Sequence, residues 1–256
     1  MARHHHPVSV DYTTYQHSVE NVLAALEADR VLARQSAILI KPNLVNDSRP
    51  PVTTPVSCCE AVINYVRACS NAKIVVAEGS GDAARETHEI FRSLGYADLK
   101  RRCGVELVDL NHEPVVKKED SRRPFFPEMF LPEIAFTHYI ISVPVLKAHS
   151  LSAVSGTLKN MVGFAPPEYY SGQYGVWKKA VFHKDVHQAI RDLNAYRSPD
   201  LTIMDASVGL AEYHLGGPEC RPPVNKIIGG FSPAEVDRLA AGLLGLRWED
   251  IPHLEE

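Results

Sequence analysis

Short apolar runs stand out along the chain: Ala37-Ile38-Leu39-Ile40, Ile74-Val75-Val76-Ala77 and Tyr139-Ile140-Ile141. Each is too short for a buried helix and contains β-branched residues, which fits strands covered on both faces. Val105–Leu110, Leu201–Asp205 and Lys226–Gly230 extend the strand set, with Val8–Val10 as a short edge strand. Between them, apolar residues recur at helical spacing. Val19, Val22, Leu23 and Leu26 do so within 17–29, and Val62, Ile63 and Val66 within a helix starting near Pro55. Further helices are predicted over 88–94, 182–193 and 233–244, and Val154, Leu158 and Met161 predict another over 150–161. Alternating strands and helices predict an α/β fold: a mostly parallel central sheet, helices on both faces, and long loops at the strand C-terminal ends. No repeat or low-complexity linker divides residues 1–256, which read as a single α/β domain with its core over about 8–245.

Three irregular stretches interrupt this pattern. Residues 47–54 are proline-rich and aperiodic, as a surface loop should be. Residues 114–132 read as a hairpin or insertion whose Lys117, Lys118, Arg122, Arg123 and Phe125-Phe126 form a basic–aromatic surface. The 164–179 excursion carries Tyr169, Tyr170, Tyr174 and Trp177 and reads as a lid or as a loop packed on its own aromatics.

Candidate chemistry centres on Ser142–Ser150 and Ser155–Gly163. There an apolar strand leads into Lys147, His149, Lys159 and Asn160 among small residues. Two cations, an imidazole and free backbone N–H groups around one point suit an anion. Ligands of open α/β sheets bind beyond the strand C-termini. This places Lys41 and Asn43, Gly79-Ser80-Gly81 and Asp205 beside the same cleft. Lys147 and Lys159 are candidate charge partners, His149 a candidate acid–base group, and Asp205 a carboxylate that orients a base or binds a cation. Lys41, Asn43, Gly79, Ser80, Gly81, Lys159 and Asn160 form the candidate cofactor-binding set. The competing structural reading has solvated lysines, a locally bonded histidine and Asp205 as a helix cap. His183 and His187, four apart, share a helix face and are candidate metal ligands, although the Glu of H-E-x-x-H is missing.

A formal charge of −4 and a pI near 6.3 give no electrostatic case for nucleic acid or anionic membranes. Cys58, Cys59, Cys69, Cys103 and Cys220 make neither a disulfide framework nor the spacing of an iron–sulfur cluster motif. No signal-peptide core follows His4-His5-His6, and no apolar span suits a membrane helix, so a reduced cytoplasmic protein is expected.

The ordered motifs carry a resemblance. Lys41-Pro42-Asn43-Leu44, Thr54-Pro55, Glu78-Gly79-Ser80, Val143–His149 and Gly156–Gly163 resemble the bacterial and archaeal domain-of-unknown-function family 362. His183, Asp192-Leu193, Asp205 and the segment from Gly229 to Asp237 extend the likeness, which covers roughly residues 8–245. The resemblance implies an α/β protein, and some relatives carry a ferredoxin-like cluster segment that this sequence lacks. The family is also distantly similar to the cofactor-binding domain of nickel-pincer lactate racemase, which implies a divalent metal or an organic cofactor.

Together these readings favour a cofactor-dependent enzyme acting on a small anionic ligand by redox or proton-transfer chemistry, as an oxidoreductase or isomerase. The alternatives are a noncatalytic small-molecule or metal-binding protein, and an interaction protein using the Arg122–Phe126 surface. The oligomeric state is left open.

Overall fold

The computed structural model describes residues 6–172 and 177–255. His4, His5 and Tyr174 lie outside these residues. Eleven strands are formed among them: β1 (Val8–Asp11), β2 (Ala37–Pro42), β3 (Lys73–Glu78), β4 (Glu106–Asp109), β5 (Val115–Glu119), β6 (Glu128–Pro132), β7 (Tyr139–Val143), β8 (Val145–His149), β9 (Ala153–Ser155), β10 (Leu201–Leu210) and β11 (Lys226–Gly230). The main sheet runs β1-β11-β10-β7-β2-β3-β4, and β8 and β9 extend it beside β10. Strands β10, β7, β2, β3 and β4 are mutually parallel. β11 lies antiparallel to β10, and β1 antiparallel to β11. The sheet is therefore mixed but mostly parallel.

Alternation along the strands builds two covered faces. Ile38 and Ile40 pack with Val22 and Leu23 of the helix Tyr15–Ala25 and Val62 and Val66 of the helix Val56–Cys69. Leu39 points the other way, into a core shared with Phe164 and with Leu193 of the helix Val186–Tyr196. A third cluster joins Leu146, Met204 and Ile228 to Val236 and Ala240 of the helix Pro233–Leu243. Cys58 and Cys59 are free and buried in the first core, where desolvation pushes both thiols up. That leaves them as packing residues rather than nucleophiles.

Several elements depart from the pattern-based expectation. The helix expected over 150–161 is instead a turn, strand β9, and a single helical turn at Thr157–Asn160. Pairing of Lys147 with Ser155 and of Ala148 with Val154 uses those residues in a hairpin, so the spacing of Val154, Leu158 and Met161 is not one helix face. A helix at Tyr96–Cys103 follows Gly95, whose φ of 84° ends the preceding helix and reopens the chain. β10 does not stop at Asp205 but continues to Leu210, which puts that carboxylate inside the strand.

The expected basic–aromatic surface is neutralised. Lys117 pairs with Glu119 and Glu128, and Arg122 and Arg123 pair with Asp120. Phe126 turns inward against Tyr170 and Phe182. Among the described residues, no helix is long and apolar enough to cross a membrane.

Candidate functional site

A cavity of about 650 Å³ opens where β2, β3 and β8 end. Lys41, Asn43, Gly79, Gly81, Lys147, His149, Lys159, Asn160 and His183 all line it. Ser80, Asp205 and His187 do not. The Ser80 hydroxyl donates to Val45 O at 2.9 Å and fixes a loop. Asp205 accepts from Tyr15 Oη at 3.0 Å and from Ser207 N at 2.9 Å, and burial raises its pKa. His187 meets His253 across a 2.8 Å Nδ1–Nδ1 contact, away from the cavity that His183 lines.

Much of the polar lining is already committed to other protein groups. Lys41 is 1% exposed, and its ammonium donates to Glu78 Oε1 at 2.7 Å, Pro42 O at 3.0 Å and Asn160 Oδ1 at 3.2 Å. Those three acceptors use all its hydrogens. Glu78 also accepts from Leu44 N and Gly79 N, both at 2.8 Å. Asn160 spends its amide on Lys41 O and Ser142 Oγ. Asn43 accepts from Lys147 Nζ at 2.5 Å and donates to Asn160 Oδ1 at 3.3 Å. Gly163 lets the following backbone sit on this network, because a Cβ there would overlap Glu78 Oε1 and the end of Lys41.

The groups with open valence are fewer. Lys147 donates to Asn43 Oδ1 and to Val52 O at 2.7 Å, leaving one ammonium hydrogen. Lys159 has no hydrogen-bond or ion-pair partner among the described residues and faces the cavity from the turn Thr157–Asn160. Burial holds both lysines well below the ordinary lysine range. That turn is anchored by Asp237, which accepts from Thr157 N at 2.7 Å and Leu158 N at 2.9 Å.

His149 Nδ1 accepts from Leu151 N at 3.0 Å, which puts the proton of the neutral ring on Nε2. Its ring stacks on His214 at 3.7 Å. Burial and the neighbouring lysines keep His149 neutral, and the same causes lower His214 to about 3. Burial and then Lys159 lower His183 as well. At the mouth, Leu151 and Tyr213 are 51% and 44% exposed, an apolar lip above a basic floor.

Sequence reasoning missed Lys179, His214 and Asp237. Lys179 lines the cavity and donates to Asn111 Oδ1 and Ala165 O, which, as at Lys147, accounts for two of its three ammonium hydrogens. His214 comes from the irregular 209–223 segment, where no spacing marks a ligand residue. Within the 164–179 excursion, Tyr169 stacks on Phe130 and Tyr170 bonds Phe130 N, while Trp177 and Lys179 reach the cavity. A separate group at the ends of β4 and its neighbours, Glu86, Asp109 and His112, offers ligand atoms within 4.8 Å of one another. Only Asp109 of the three is buried. Its carboxylate meets His112 Nδ1 at 3.1 Å, and Glu86 pairs with Lys178 at 2.9 Å.

A family described as a domain of unknown function (DUF362) has a profile that matches residues 38–242. No curated protein matches the sequence. Among solved structures, the lactate racemase apoprotein from Thermoanaerobacterium thermosaccharolyticum superposes with a TM-score of 0.56 at 14% identity. The match covers 90% of this chain and 55% of that one, so this chain spans about half the length of that protein. At such identity the likeness is one of fold.

Proposed function

The chain belongs to the DUF362 family, and from that premise we propose that its strand-end cavity binds a small organic anion and moves a proton or hydride on it. The observation that carries this reading is the convergence of Lys147, His149 and Lys159 on one cavity in which the lining carboxylate, Glu78, is already held by Lys41. Lys147 and Lys159 each keep an open hydrogen, and neither is ion-paired among the described residues. An incoming carboxylate or phosphate gains charge-assisted hydrogen bonds in a partly desolvated setting, where they are strongest. His149, with Nε2–H available, is the group suited to hold or pass a proton beside the bound anion. Two imidazoles kept neutral on the cavity wall, on His183 and His214, offer ring nitrogens to a divalent metal or a metal-bearing organic cofactor. Such a group would supply Lewis-acid or redox chemistry.

Calorimetric titration with malonate and phosphate tests the binding. The expected result is measurable affinity that is lost in Lys159→Ala and strongly reduced in Lys147→Met, with folding of each variant checked by circular dichroism. Unchanged affinity in both variants would refute the site. Proton transfer is tested by deuterium exchange from solvent into the α-carbon of bound hydroxy acids, which His149→Gln should abolish.

A second reading, a metal-binding protein without turnover, draws on the Glu86, Asp109 and His112 group. It predicts divalent-metal affinity that falls in Asp109→Asn and is indifferent to Lys159.

A further inference from the structure

The lysines of the cavity differ in one respect that ligand binding alone does not explain. Lys41 has three acceptors, and Lys147 and Lys179 have two each. Hydrogen bonds to oxygen hold an amine in its charged form. Lys159 has none among the described residues, and its depressed basicity is caused by desolvation alone. It also lies close enough for its charge to weigh on Lys147. With burial lowering it to about 8, Lys159 carries a neutral fraction near neutral pH, and its nitrogen, unlike those of Lys41, Lys147 and Lys179, is not turned onto an oxygen of the described residues, while an anion bound at Lys147 holds that second amine in its charged form. A desolvated lysine beside another cation is the usual arrangement of a nucleophilic amine.

We infer that Lys159 condenses with the carbonyl group of a 2-oxo acid to form an imine inside this cavity. The inference rests on the anion-binding reading and names the substrate class for it. The open hydrogen of Lys147 takes the carboxylate and holds the adjacent carbonyl carbon before the amine. The Nζ lone pair forms the C–N bond as the carbonyl π pair moves onto oxygen. His149 Nε2–H hydrogen-bonds that oxygen while charge develops on it. The two amine protons end on the oxygen, which leaves as water, and C=N remains. No oxidant or metal is required. Protonation of the imine then restores the positive charge that the free amine lacked. Phe182, Val186 and Leu151 along the wall suit an apolar side chain on the oxo acid.

Pyruvate with sodium cyanoborohydride is the probe, read by intact mass and peptide mapping of the full chain. The expected result is one carboxyethyl adduct, mapped to Lys159, suppressed by excess malonate and lost in Lys159→Arg. No adduct in the parent protein, or adducts spread over exposed lysines and unchanged by malonate, would overturn the inference. Malonate titration of the same preparation separates the two levels of argument. Malonate binding without an adduct leaves the anion site standing and removes the imine. Failure of both removes the anion site as well.

Discussion

Replacing Glu78 with alanine tests the core of the site's architecture. Glu78 is 2% exposed and Lys41 is 1% exposed, and their 2.7 Å ion pair sits at the base of the cavity. Burial pulls the Lys41 ammonium down, and the Glu78 carboxylate is the main influence that holds it up. The substitution strands a buried cation and also frees the N–H groups of Leu44 and Gly79. Breaking a buried pair from one side costs about 3–5 kcal/mol, because the remaining charge keeps its desolvation penalty. In a domain of this size each kcal/mol moves Tm by about 2–4 °C, so the melt should fall by about 6–20 °C. Urea denaturation followed by circular dichroism gives the free energy directly. The double variant Glu78→Ala/Lys41→Met should recover stability relative to the sum of the single losses, since no charge is then left unpaired. A Glu78→Ala loss under about 1 kcal/mol, within the range of ordinary surface changes, would refute the reasoning, as would strict additivity in the cycle.

Four further outcomes follow from the same structure. Gly156→Ala drives a Cβ into the Asp237 carboxylate that caps Thr157 and Leu158, and overpacking of this kind costs about 1–3 kcal/mol in the urea midpoint. Gly242→Ala meets no atom within 4 Å in its helix and should leave stability level or raise it, serving as the control. Affinity for malonate should decline as pH rises through about 7 and about 8, where Lys147 and Lys159 lose the ammonium protons that bind it; flat affinity from pH 6 to 9 would contradict their role. His253 is lowered to about 3 in the folded chain by burial and by His187, so below its unfolded pKa of 6.5 the unfolded state takes up the proton first. Its share of stability is thus present above 6.5 and is lost on acidification, by about 2 kcal/mol between pH 7 and 5. His253→Phe should lack that part of the acid sensitivity in parallel urea titrations.

The parallel core of the fold was legible because its strands carry the signature of two covered faces. Ile38, Leu39 and Ile40 are all fully buried, yet they serve different cores on opposite sides of the sheet. A continuous apolar run records exactly that demand in sequence, where a half-exposed strand would alternate. The β8–β9 hairpin was illegible for the opposite reason. Val154, Leu158 and Met161 happen to repeat at helical spacing, while the decisive interactions are long-range. They are the ladder of Lys147 with Ser155 and the capping of Thr157 by Asp237, eighty residues further on. Local periodicity does not contain those terms. The antiparallel β11 likewise reads like any other buried strand, because direction is set by the connection and not by the residues.

For the candidate site, residue type located the cavity better than it identified the free groups. Lys41, Asn43, Asn160 and Lys147 were recognisable as polar residues at strand ends, and all line the cavity. Burying them obliges the fold to satisfy them, and partners from β2, β3 and the Gly156–Gly163 turn do so. The same chemistry that makes a residue look functional therefore supplies its structural partner. Lys159 differs because its turn, fixed by Asp237 and approached closely only where residue 156 lacks a Cβ, presents an amine with no acceptor. Asp205, equally polar in sequence, found Tyr15 and Ser207 and lies off the cavity. A buried polar group without a partner is costly to the fold. Lys159 meets that cost only in part, by remaining half-buried and open to the cavity.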